Sequence, residues 1–135
     1  MLLFSTFGES TLCELRNAWA KADGYTHVNT FVSKSDLGTA LAEANYGDFS
    51  IVEEKRVVKY SSVGAIMSEL KSLGAHNVTR NRPRHLMGKG VFQTMLDAYV
   101  ASMTTGHIEA TFEVLYGQAR LQDRRVAGSN YHFGI

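Results

Sequence analysis

The order of apolar and polar positions divides the chain into seven segments. "LLFSTF", residues 2–7, is a short apolar run closed by Gly8, the pattern of a buried strand. In "TLCELRNAWAKA", Leu12, Leu15, Trp19 and Ala22 recur at helical spacing, and Gly24 marks the stop. Thr11 and Glu14 stand three apart, as in a capping box that satisfies two of the first helical amides. "HVNTF" reads as a loop or a short extended piece. Ser33 and Asp36 mark a second helix start, with Leu37, Leu41 and Ala44 as its stripe and Gly47 as its stop. "FSIVEEKRVVKY", residues 49–60, is β-branched and aromatic around a charged middle, which predicts a strand with part of its length facing water. In "SSVGAIMSELKSLGA", Val63, Ile66, Met67, Leu70 and Leu73 fall on one helical face, closed by Gly74. A further helix over 89–103 carries Phe92, Met95, Leu96, Tyr99 and Met103. "EATFEVLYGQARL" alternates as a strand, with Ala110, Phe112, Val114 and Tyr116 on one face and Tyr116 read as core. The order is strand, helix, helix, strand, helix, helix, strand.

With 135 residues, 44% hydrophobic and 20% charged, the chain has the size and composition of one globular domain. The lone Cys13 excludes an internal disulfide and a zinc site built on cysteine pairs, and is read as a small core residue. The opening residues are too short an apolar run for a signal peptide or a membrane span, so the expected location is the cytoplasm. No G-x-G turn follows a strand, and no P-loop, H-E-x-x-H or G-x-S-x-G occurs. The five histidines are scattered and none is read as paired with another His, Asp or Glu at ligand spacing, which argues against metal catalysis.

Charge changes the picture at one place. Residues 75–90, "AHNVTRNRPRHLMGKG", hold Arg80, Arg82, Arg84 and Lys89, and no acid occurs from Ser72 to Leu96, although the net charge is only +1. That balance argues against a general nucleic-acid binder and is compatible with one local acidic partner.

Four stretches, "LLFSTFGESTLCELRNAW", "HVNTF", "LKSLGAHNVTRNRPRHLMGKG" and "ATFEVLYGQA", resemble the second half of the malonyl-acyl-carrier-protein O-methyltransferase of biotin synthesis, the BioC family. The resemblance runs from Leu2 to about Ala119 and is most specific from Gly74 to Lys89. It implies an α/β fold: the C-terminal half of a class I, Rossmann-like methyltransferase, with about three strands, flanking helices and a helical lid insertion. The implied layout is a methyltransferase half over 1–119, a lid at about 61–106, and a polar, mobile tail over 120–135. The implied activity is S-adenosylmethionine-dependent methylation of the free carboxylate of malonyl-acyl carrier protein, on the way to the pimeloyl precursor of biotin. A non-catalytic lid fragment that binds acyl carrier protein, or an inactive remnant, is the alternative.

The resemblance also implies that the family's cofactor-binding half precedes the matched region. No cofactor is therefore expected on this chain alone, and a separately encoded N-terminal half is a possible partner. The "LLFSTF" strand would then offer a raw apolar edge, and a homodimer through that edge is expected. Acyl carrier protein is the expected partner of the basic loop; no membrane and no nucleic acid are expected. Arg80, Arg82 and Arg84 are candidates for gripping the malonyl carboxylate or an acidic carrier side chain, because guanidinium binds carboxylate at two points. Lys89, at the opening of a helix, is a candidate phosphate contact. Thr6 and Phe7, at the carboxyl end of the first strand, are candidate site residues.

Overall fold

The structure, a computed structural model, describes residues 1–73 and 88–122. Its elements are β1 (Leu2–Phe7), α1 (Cys13–Ala20), α2 (Lys34–Glu43), β2 (Asp48–Tyr60), α3 (Val63–Ser72), α4 (Lys89–Ser102) and β3 (Ile108–Arg120). The three strands form one sheet in the order β1-β3-β2, with β3 antiparallel to both neighbours. β1 and β2 therefore run in the same direction on either side of the last strand. This is the order of elements that the residue pattern predicts, in the α/β arrangement that the resemblance implies.

Helices cover the sheet on two sides. Leu12, Leu15, Ala18 and Trp19 around α1, Val63 and Ile66 of α3, and Met95 and Tyr99 of α4 close over Ala110, with Phe92, Leu96, Phe112 and Tyr60 packed at the margin. On the opposite face α2 lies over β2, with Gly38 against the ring of Phe49. The helix signals hold in part. Ser33 Oγ accepts from the Asp36 amide at 3.0 Å, and Ser62 Oγ from the Ala65 amide at 3.1 Å. The α2 stop is Asn45, in the left-handed region at φ 68, rather than Gly47.

The capping-box reading of Thr11 and Glu14 is wrong, for a reason that organises the fold. β1 pairs with β3 only as far as Phe7 opposite Val114, whereas β3 extends back to Ile108. Beyond Val114 the β1 side of β3 would carry bare peptide groups. The connector from β1 to α1 closes that edge. Gly8 N donates to Glu113 O at 2.8 Å, and the Thr11 hydroxyl donates to the same oxygen and accepts from Glu113 N, each at 3.0 Å. Leu12 N donates to Thr111 O at 2.7 Å, and the Glu14 carboxylate accepts from Thr111 N at 2.9 Å and from its hydroxyl. Farther along, Tyr99 Oη donates to Glu109 O at 2.7 Å. Leu12 adopts φ 57 to make this turn, an unfavourable conformation for a leucine, and its side chain is buried in return. Arg16 Nη2 donates to Thr11 O at 2.9 Å and holds the connector from outside.

Other expectations also change. β1 is an edge strand, not a buried one: Leu3 is 69% and Phe7 44% exposed. Tyr116, read as core, is 45% exposed, because the helices cover the Ala110 and Phe112 end of that sheet face and not the Tyr116 end. Leu73 is exposed just past the end of α3. Arg120 still pairs with Asp48, and Gln122 N donates to Asn45 O at 2.8 Å, so the strand reaches into the segment read as tail.

Replacing Thr11 by Val leaves the Glu113 amide buried without an acceptor; chemical denaturation is expected to show a loss of about 1–3 kcal/mol. The ordinary cap change Ser33→Ala is expected to cost about 1 kcal/mol. A second prediction concerns Tyr60, whose hydroxyl donates to the Glu69 carboxylate of α3. Burial, reinforced by Glu69, pushes its phenol up to about 12. The fold thus favours the neutral ring. Its contribution is complete below the ordinary phenol range and is lost as pH rises through about 12. Absorbance titration is expected to show a phenol ionising near that value, and Glu69→Gln is expected to move it part of the way down.

Candidate functional site

The carboxyl end of β1 is where an open α/β sheet places ligands. Thr6 and Phe7 stand there but diverge, since neighbouring strand residues point to opposite faces. Thr6 is paired with Leu115 and shares the α2 face; Phe7 is paired with Val114 and lies on the face of α1 and α4. Phe7 joins an aromatic group there, edge-on to Phe31 with centroids 5.8 Å apart and tilted against Phe112 at 6.0 Å. Of the two, Phe7 presents the larger open surface, half-exposed beside rings that pack on the core.

On the α2 face, Glu113 is buried although charged. One carboxylate oxygen lies 3.4 Å from the Ser10 amide, and the other 4.0 Å from Lys55 Nζ on β2. The carboxylate fills the space over Gly8, where a Cβ would stand 1.9 Å from Glu113 Oε1. Beside it, a cleft of about 630 Å³ opens between Glu9, the first turn of α2 (Ser33, Lys34, Ser35) and a floor of Phe49 and Ile51. Cys13, half-exposed at the start of α1, donates to Glu14 Oε1 at 3.4 Å. Burial and then the Glu14 charge push its thiol up, which keeps it protonated and a poor nucleophile. Burial raises the Tyr99 phenol strongly as well, which keeps its hydroxyl a donor to Glu109.

One polar pair escaped the sequence reading. His27 Nε2 lies 2.8 and 2.9 Å from the two carboxylate oxygens of Asp23, and its ring stacks on Trp19 at 3.8 Å and 9°. The i, i+4 spacing of Asp23 and His27 was the signal that could have found it. Trp19 in turn touches Phe92, on the first turns of α4, at 6.2 Å. No group of three His, Cys, Asp or Glu that could hold a metal ion occurs among the described residues.

Lys89 is the first residue of α4, exposed, with Gly88 before it as an N-cap that offers no side chain. Arg80, Arg82 and Arg84 lie outside the described residues, as do His76, His85 and most of the loop between α3 and α4. No described helix is long and apolar enough to cross a membrane.

No protein-family model matches the chain. Individual proteins do. A malonyl-[acyl-carrier protein] O-methyltransferase from Laribacter hongkongensis is 44% identical over 119 residues, covering 88% of this chain and 40% of that protein. The protein of the same description from Nitrosospira multiformis is 41% identical, covering 88% and 39%. The biotin biosynthesis bifunctional protein BioHC of Saccharophagus degradans is 39% identical, covering 87% of this chain and 22% of its own length. The resemblance read from the residues therefore holds: this chain is related along most of its length to malonyl-[acyl-carrier protein] O-methyltransferases, and spans about 40% of their length.

Proposed function

We propose that this chain is the C-terminal, substrate-handling portion of an S-adenosylmethionine-dependent methyltransferase that methylates the free carboxylate of malonyl-acyl carrier protein in biotin synthesis, in the cytoplasm. The observation that carries the reading is the 37–44% identity to proteins of that description across 88% of the chain. The described residues do not fit the cofactor. Gly8 is the one glycine directly after β1, and its open side is filled by the Glu113 carboxylate rather than left for a nucleotide. Binding of the methyl donor is therefore assigned to the N-terminal portion of the family enzyme, outside these residues.

What remains to this chain is recognition. α3 and α4 act as a lid, and the basic loop between them meets acyl carrier protein, an acidic partner. Arg80, Arg82 and Arg84 hold the malonyl carboxylate or an acidic side chain of the carrier; Lys89 receives a phosphate. Phe7 with Phe31 and Phe112, and Thr6 on the other face, line the approach to the carboxyl end of β1. A malonyl carboxylate is ionised at neutral pH and needs no general base, which accords with a site where the Glu14 carboxylate and the Tyr99 hydroxyl serve the sheet edge. The free edge of β1 takes up a strand of the N-terminal portion.

Reconstitution tests this. The chain, mixed with a cofactor-binding portion of a relative, is expected to restore methyl transfer to malonyl-acyl carrier protein. Changing Arg80, Arg82 and Arg84 together to Ala is expected to weaken carrier-protein binding by roughly tenfold or more, with the fold intact. Carrier binding without transfer would favour a non-catalytic binding fragment. Absence of both binding and transfer would refute the proposal.

A further inference from the structure

β2 is the other edge of the sheet, and among the described residues no strand lies on its outer side. The direction of its peptide groups follows from β3. Thr111 and Glu113 turn their N–H and C=O toward the β1 side, where Leu12, Glu14 and Thr11 meet them. The even-numbered β3 residues therefore turn toward β2. Register then sets Phe112 against Arg56 and Val114 against Glu54. It follows that Ile51, Glu53, Lys55, Val57 and Lys59 direct their N–H and C=O outward, a ladder open to another strand.

The side chains along this ladder are self-complementary. We propose that β2 pairs antiparallel with β2 of a second copy of this chain, about a two-fold axis at Lys55. Such an axis stands normal to the sheet and keeps each face on its own side, so even-numbered residues meet even-numbered ones. In this register Glu54 faces Arg56 of the second copy, Val52 faces Val58, and symmetry repeats each pair. These are the non-hydrogen-bonded positions, where Cα atoms approach to about 4.5 Å and side chains interact most. Glu54 and Arg56 already form an ion pair at 2.8 Å within one chain, so pairing closes a ring of four alternating charges. Val52 and Val58, 61% and 38% exposed, cover each other. Lys55 meets Lys55 at the wider, hydrogen-bonded position; each ammonium stands 4.0 Å from Glu113 of its own chain, with Glu53 of the other copy on the diagonal. The neighbouring register, centred on Glu54, sets Glu54 against Glu54 at the close position and is disfavoured.

This inference stands apart from the proposed function, since it needs neither cofactor nor carrier protein. Sedimentation equilibrium of the full chain across micromolar concentrations is expected to find a species of twice 14.9 kDa. Arg56→Glu is expected to weaken that dimer by roughly tenfold or more, because symmetry turns two attractive pairs repulsive. The double variant Glu54→Arg/Arg56→Glu is expected to restore it, with circular dichroism unchanged in both. Ser5→Pro, which blocks the outer edge of β1 and leaves its pairing with β3 intact, is expected to leave the dimer unaffected. A monomer at every concentration, a dimer indifferent to Arg56→Glu, failure of the double variant to restore it, or loss with Ser5→Pro would overturn the proposal.

Discussion

The structure depends on how the unequal lengths of β1 and β3 are reconciled. A strand of six residues lies against one of thirteen. The remaining length of β3 would leave buried peptide groups unpaired, at about 1–3 kcal/mol each. Side chains and single amides replace the absent strand: Thr11 and Gly8 at Glu113, Leu12 and Glu14 at Thr111, Tyr99 at Glu109. This closure brings α1 down onto the sheet at Leu12 and α4 at Tyr99. The main core of Leu15, Trp19, Ile66 and Met95 forms between them. The left-handed Leu12 is the local cost of that geometry.

Much of this was legible in the residue pattern. Apolar periodicity places all seven elements, because helices such as α4 and strands such as β3 bury one face each and write that face into the sequence. What the pattern misses is non-local. Thr11 and Glu14 have the spacing of a helix cap, and nothing in the local sequence tells that their oxygens are claimed by a strand a hundred residues later. Leu2–Phe7 reads as buried because it is apolar, whereas exposure depends on what lies beside it. Tyr116 follows the alternation of β3 correctly; the helices simply stop short of it. The candidate site divides in the same way. Thr6 and Phe7 stand at the carboxyl end of β1, as the pattern places them, but the parting of their side chains to two faces, and the burial of Glu113 over Gly8, need the folded chain.

The two sheet edges have different characters. β1 is short and uncharged, with Leu3 open to solvent. β2 is long and carries Glu53, Glu54, Lys55 and Arg56 at its centre, charges that oppose indiscriminate pairing and admit a complementary one. The chain spans about 40% of its relatives' length. Under the proposed function, this uncharged edge and the aromatic group at the carboxyl end of β1 are where the chain meets the portion that holds the cofactor.

The most direct test of the central claim, that side chains from the connector and α4 stand in for a strand along β3, is native-state amide hydrogen exchange followed residue by residue. The Thr111 and Glu113 amides, whose N–H groups face the side where β1 has ended, are predicted to exchange as slowly as the β3 amides paired with β2, opening only with global unfolding. Rapid exchange at Thr111 and Glu113, with the neighbouring β3 amides protected, would contradict the account.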